Sequence, residues 1–270
     1  MNSTKGNPPM TTGISSRVLL AALAFCGITT TASADDATRV TRDADVIVYV
    51  GDLSAAANRE VHAILDAEPG VQWLHITSGG GEVNLGIDLG ELVRARGLNV
   101  KVIDYCASSC ANYVFAAGRR KLLPADAAVV WHGSTLQAGV GDPDRYFAKA
   151  EAQLGREFTG EEKARLAAQM RSYFEGITRR QEALYRALGI DPRITVFGQD
   201  IGCDCEWTIS AADMARFGVT GVEAADGYGG HLTPKGKPIE LLRLDDHPAY
   251  AAALDARLGA APSPLPGTTP

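Results

Sequence analysis

Three observations predict an α/β protein with parallel strands. Short apolar or β-branched runs recur at 46–50, 71–76, 100–103 and 127–131, each the length of a buried strand. Segments with apolar residues every three or four positions alternate with them, and the connections are short and carry glycine.

The elements follow in order. Residues 1–34 read as a secretory signal peptide. Lys5 and Arg17 are the basic region, 18–30 is an apolar run containing Leu19, Leu20, Leu23 and Phe25, and Ala32-Ser33-Ala34 offers small residues before Asp35. That run is short for a membrane span. A lipoprotein reading of Leu23-Ala24-Phe25-Cys26 ranks second, because Phe25 stands where a small residue is wanted. The strand at 46–50 ends at Gly51, and 55–67 places Val61, Ile64 and Leu65 on one helical face. The next strand runs into Gly79-Gly80-Gly81, after which Leu85, Leu89, Leu92 and Val93 keep helical spacing up to Gly97, a natural stop. Beyond the third strand, 109–118 is an almost wholly apolar helix, the pattern of a buried central one.

A helical insert at about 143–190 divides this domain, which spans 40–230. Within it Leu166, Met170, Tyr173, Ile177, Leu184 and Leu188 form a narrow apolar stripe, with charged residues on the other faces. The stripe fits a helix laid on its own domain or one docked on a neighbouring subunit. A short strand, a helix and the stop at Gly218 close the domain. Residues 231–258 form a C-terminal extension, and 259–270 is an Ala/Pro/Ser/Thr-rich tail expected to be disordered.

Bulk properties exclude some functions. A net charge of −6 and a pI near 5.4 provide no basic excess to neutralise phosphates, so nucleic acid is not an expected partner. After signal cleavage no stretch is long and apolar enough to cross a bilayer. Beyond the signal segment the cysteines are Cys106, Cys110, Cys203 and Cys205, an even count that suggests two disulfides in an exported protein. Cys203 and Cys205 are expected to pair with each other only under strain. Either Cys106 and Cys110 close locally, or each pair bridges to the other. A zinc site of four thiolates is disfavoured, because neither pair has Cys-x-x-Cys spacing.

Chemistry concentrates in three places: the glycine-rich turn 79–81, Ser109 at the start of the apolar helix, and His132 at the end of a strand. Hydrolysis by a serine nucleophile needs a base for the Oγ proton and N–H donors where the oxyanion develops. The plainer readings are that Ser109 is a helix cap, with Ser108 competing for either role, and that His132 is a hydrogen-bonded strand-end residue.

Ile76-Thr77-Ser78-Gly79-Gly80-Gly81, with Gly86 beyond, is similar to the Ile-Asn-Ser-Pro-Gly-Gly segment of the Clp protease proteolytic subunit; Gly79 stands where that family has proline. Ser109, Ala111 and Ala116-Ala117-Gly118 resemble its nucleophile helix. Leu123-Pro124 and Val129-Val130-Trp131-His132 resemble its histidine strand, and Ile209-Ser210-Ala211-Ala212 with Phe217-Gly218-Val219 its closing segment. Across roughly 45–225 the chain thus resembles the ClpP-like serine proteases of the ClpP/crotonase superfamily. The resemblance implies a spiral of β-β-α units with a long protruding helical segment, and a Ser-His-acid triad that needs no cofactor and no metal. By position the nucleophile is Ser109, the base His132 and the oxyanion donors the N–H groups of Gly81 and Cys110. The acid falls on Glu206, with Asp204 as fallback. The expectation is an exported, periplasmic or secreted, ATP-independent serine peptidase. It would act on peptides or unfolded proteins and assemble as a homo-oligomer. The alternative is a non-catalytic peptide- or protein-binding module.

Overall fold

The structure, a computed structural model, describes residues 38–229 and 238–259. The expected signal peptide, Cys26, His231 and all of the C-terminal tail but Gly259 lie outside the described residues.

The described chain is α/β with a mixed sheet. Strands β1 (Arg39–Asp43) and β2 (Val46–Val50) form an antiparallel hairpin. Helix α1 (Ala55–Ala67), β3 (Trp73–Ser78), α2 (Val83–Arg96) and β4 (Asn99–Ala107) follow, and β2, β3 and β4 pair in parallel. Strand β4 then forks. Val100 and Lys101 pair with β5 (Lys121–Leu123), while Tyr105, Cys106 and Ala107 pair with β6 (Ala128–Val130). Between β4 and β5 lies α3 (Cys110–Phe115), wound as a π-helix. The sheet ends with β8 (Val222–Ala224) beside β5, and a separate parallel pair joins β7 (Trp207–Ile209) to β9 (Glu240–Leu242). The four strands read from the sequence pair in parallel as expected, and the antiparallel β1 is an addition that the reading did not contain. Its sequence, Arg-Val-Thr-Arg-Asp, buries only Val40, so it carries no apolar run to read.

The chain divides into two compact units. In the smaller, the described residues run from Asp142 to Met170. They comprise α4 (Pro143–Leu154) and the first turns of α5 (Gly160–Leu188). Thr159 and Glu162 form a reciprocal capping box: the Glu162 N–H donates to Thr159 Oγ1 at 3.2 Å, and the Thr159 N–H to Glu162 Oε2 at 2.9 Å. Arg156 grips the same carboxylate and holds its pKa down at about 2.

The larger unit holds the sheet, the rest of α5, the short α6 (Phe197–Asp200), α7 (Ala211–Arg216) and α8 (Pro248–Gly259). Strand alternation sends Ile47, Tyr49, Leu74, Ile76, Val100 and Val102 into the core, where Val61 and Leu65 of α1 and Leu89 and Val93 of α2 also lie. Each such side chain, fully buried, contributes about 1.5–3 kcal/mol. The second half of α5 is also part of this unit. Ile177, Gln181, Leu184 and Tyr185 are buried, Tyr113 Oη donates to Gln181 Oε1 at 2.7 Å, and Tyr185 Oη donates to the Asn112 carbonyl at 2.7 Å. Of the two readings of the stripe, the structure bears out packing on its own domain for this half; Ile177 is not available to a neighbouring subunit.

Two glycines let α2 lie close to α3. A Cβ on Gly86 would sit 2.8 Å from Ser109 Cβ, and one on Gly90 would sit 2.6 Å from the Tyr113 carbonyl oxygen. One helical turn apart, they open one face of α2 to the backbone carrying Ser109.

Candidate active site at the β3, β4 and β6 strand ends

Strand β3 ends in a turn only glycine can make. Gly80 has φ +94° and Gly81 φ +152°, and the Gly80 N–H donates to Ser78 Oγ at 3.1 Å. A Cβ on Gly80 would sit 2.7 Å from both the Ala107 carbonyl oxygen and Ser108 Cβ. The turn therefore lies directly on the junction of β4 and α3. It is held on two sides: the Leu53 N–H donates to the Gly80 carbonyl at 2.7 Å, and Ser109 Oγ donates to the Gly81 carbonyl at 2.8 Å.

At the junction Ser108 adopts φ +56°, a left-handed conformation costly for a residue with a side chain. Ser109 follows in helical conformation, makes no side-chain capping bond and is 3 % exposed. Ser109 thus stands at the cap position of the helix, but its hydroxyl caps no helix N–H and reaches the glycine turn instead. The helix start beside it carries N–H groups without intrahelical acceptors, Cys110 among them, and the positive end of the helix dipole.

The histidine segment is tied to this junction through the backbone. The Ser108 N–H donates to the Val130 carbonyl at 3.0 Å. Trp131 and Trp207 exchange both backbone hydrogen bonds, at 2.8 and 3.0 Å, in an antiparallel bridge. Antiparallel pairing then sets His132 and Glu206 on the same side of that crossing. The His132 carbonyl accepts from Gln199 Nε2 at 2.7 Å, and the Gly133 carbonyl accepts from Asn112 Nδ2 at 3.0 Å. His132 is exposed, Glu206 half-buried and Asp204 exposed. The Glu206 carbonyl accepts from the Glu240 N–H at 3.0 Å. So the fold gathers the segments carrying Gly81, Ser109, Cys110, His132 and Glu206, but the one hydroxyl proton of Ser109 goes to the Gly81 carbonyl, not to an imidazole.

The cysteines form two local pairs at disulfide distance, Cys106 with Cys110 and Cys203 with Cys205, each with its Cα atoms 5.3 Å apart. Of the two arrangements left open by the sequence, the local Cys106–Cys110 closure is the one present. A bridge between the pairs is absent, because Cys106 and Cys110 face each other across the turn from β4 into α3. Cys203 and Cys205 do come together, in a loop that folds back after α6, where the Cys203 N–H donates to the Gly198 carbonyl at 2.8 Å.

Sequence reading missed Asn112, Gln199, Ser78 and the tether of the turn to α5. Glu82, directly after Gly81, caps α2 by accepting from the Leu85 N–H at 3.0 Å, and it accepts from Tyr173 Oη at 2.5 Å. A polar residue in an otherwise apolar helix was the available signal for Asn112. Burial raises the pKa of the Tyr113 phenol, and the charge of Glu82 raises it further, so it remains a donor to Gln181 throughout the neutral range. A groove of about 550 Å³ lies between α2 and α5, lined by Asn84, Glu91, Tyr173, Ile177 and Arg180, and contains none of the proposed catalytic residues. No protein-family model matches the chain, and no curated protein matches it.

Proposed function

We propose that the chain is an exported, ATP-independent serine hydrolase of the ClpP-like kind, a peptidase acting on peptides or unfolded polypeptides. The observation that carries this reading is the convergence of the glycine turn, the Ser109 helix start and the His132 segment through direct hydrogen bonds. In the reaction, the Ser109 hydroxyl first rotates away from the Gly81 carbonyl toward His132. As Oγ attacks the carbonyl carbon, His132 takes its proton, and the negative charge on the carbonyl oxygen is received by the Gly81 and Cys110 N–H groups. Collapse breaks the C–N bond, and His132 delivers the proton to the leaving amine. Water then attacks the acyl ester with His132 again as base, the ester C–O bond breaks to release the carboxylic acid, and His132 returns the proton to Ser109 Oγ. Glu206 orients the imidazole; Asp204 is the alternative. The two cysteine pairs support export, and no described helix is long and apolar enough to cross a membrane. The ClpP/crotonase-type spiral and a homo-oligomer belong to the same reading, with the subunit contact away from the buried Ile177.

One observation favours the second reading, a non-catalytic peptide- or protein-binding module. Ser109 is nearly inaccessible, and its hydroxyl is already committed to a carbonyl. A fluorophosphonate probe separates the two. Labelling of the wild type, lost in Ser109→Ala and reduced by roughly a thousandfold or more in His132→Ala, supports the hydrolase. Labelling retained in Ser109→Ala removes that serine from the role, loss confined to Ser108→Ala moves the role by one residue, and an unlabelled wild type favours the binding module.

A further inference from the structure

Three consecutive carbonyls at the histidine segment are each held by a different element. The Trp131 carbonyl is held by the Trp207 N–H of β7, that of His132 by Gln199 of α6, and that of Gly133 by Asn112 of α3. Asn112 lies one helical turn after Ser109 on the same short helix, so its bond to Gly133 spans directly from the nucleophile's helix to the residue beside the base. Asn112 is 3 % exposed, and its Oδ1 is buried with no hydrogen-bond partner. Gln199 shows the same arrangement: its Nε2 serves His132, and its Oε1 is buried and without a partner. A leucine at 112 would carry no unpartnered side-chain oxygen but would strand the buried Gly133 carbonyl, so the amide leaves its own oxygen unpaired while satisfying another. What the amide supplies in return is the fixed link to Gly133.

We infer that Asn112 and Gln199 are positioning residues that set the place and orientation of His132 relative to Ser109. This inference rests on the hydrolase reading for its meaning, and its geometry stands apart from it. Gly133 has φ +134°, a backbone conformation that residues with a side chain rarely adopt. A shift of the base by about an ångström costs on the order of a hundredfold in rate where the reacting groups must be aligned. The Asn112 link is buried and acts on the helix of the nucleophile itself. The Gln199 link is exposed, so its loss is partly made good by water.

The test uses the full mature chain and two readouts. The first is the fluorophosphonate labelling rate as a function of pH. The second is the His132 imidazole signal followed through its titration by NMR. Asn112→Leu should lower the labelling rate by roughly tenfold or more and displace the His132 titration, and Gln199→Met should do the same to a smaller extent, about threefold. Tyr185→Phe is the control for a structural effect, because it removes the bond to the Asn112 carbonyl while leaving the amide in place. It should lower the melting temperature and leave both readouts unchanged. If Asn112→Leu and Gln199→Met lower only the melting temperature, with the His132 titration and pH–rate profile unmoved, the inference is overturned. If the wild type is not labelled at all, the hydrolase reading falls, while the His132 titration in the same variants still decides whether these amides position the ring. Gln199→Met, at a partly exposed site, keeps the test decisive should Asn112→Leu fail to fold.

Discussion

The two sides of the candidate site are built differently. On the serine side, Cys106 and Cys110 are both fully buried, Ser108 is held in a left-handed conformation, and Gly80 and Gly86 bring backbone against Ser109. On the acid side, Cys203 and Cys205 are half-buried, Asp204 between them is exposed, and Glu206 sits at the start of a three-residue strand. Both sides contain a closely spaced cysteine pair and a left-handed glycine. Only on the serine side does surrounding structure leave those features no alternative. Position is therefore fixed by packing at Ser109 and by main-chain bonds from Trp131 and Glu240 around Glu206. This matches the chemistry proposed: a nucleophile and its oxyanion donors need tight geometry, whereas an acid that orients an imidazole tolerates more freedom.

The sharpest way to break this contrast is to add one methyl group on each side. Gly80 and Gly202 both have positive φ, +94° and +85°. A Cβ on Gly80 meets Ala107, Ser108 and Ser109 within 3 Å, while one on Gly202 meets nothing within 4 Å. Gly202→Ala should cost only the conformational penalty, about 1 kcal/mol. Gly80→Ala carries that penalty plus overpacking, about 4 kcal/mol together, and should abolish probe labelling. Denaturant unfolding of the two variants measures both. Equal costs would show that the glycine turn has room to move away from the junction.

The far end of α3 gives a second, smaller test. Lys121 is buried, and its ammonium donates to the carbonyls of Gly118, at 2.6 Å, and Thr220, at 2.8 Å, with burial depressing its pKa to about 8. The folded state thus favours the neutral amine relative to an unfolded lysine near 10.5. Between those values the unfolded chain binds more protons, so stability should rise as pH increases from 8 to 10.5, by about 3 kcal/mol in total. Lys121→Met should remove that rise. A difference between the two proteins that stays constant over this range would show that Lys121 remains charged in the fold, satisfied by its two carbonyls.

How much of this was legible in the sequence follows the same division. The apolar strands β2 and β3, the helix α1 with its Val61 and Leu65 face, and the Gly97 stop, which has φ +62° in the structure, were readable because burial there obeys a simple period. Strand β5 was hidden because it is three residues long and begins with a buried lysine. Strand β9 and helix α8 fell inside what the sequence showed only as an extension. The stripe on α5 was visible, but its partner was not, since Gln181 at its centre is polar and finds Tyr113 only in three dimensions. The candidate residues Gly81, Ser109 and His132 could be named from turn, helix start and strand end. The amides of Asn112 and Gln199 could not, because a buried hydrogen bond between distant residues leaves no period behind.

The smallest effect expected is the difference between the two cysteine pairs. In the chain-entropy model the loops they close, four and two residues apart, contribute about 2 and about 1.5 kcal/mol. Loop closure alone therefore predicts nearly equal roles, and burial has to separate them. Cys106 and Cys110 are at 0 % exposure, so a reductant reaches them only after the β4–α3 turn opens; Cys203 and Cys205 lie in a partly exposed loop. Graded reduction with alkylation and peptide mapping should modify Cys203 and Cys205 first, with probe labelling of Ser109 largely retained at that stage. Modification of Cys106 and Cys110 should come later and coincide with loss of labelling, because opening that turn releases Ser108 and the Cys110 N–H together. Reversal of this order would place the rigid side of the site at the acid and invert the comparison.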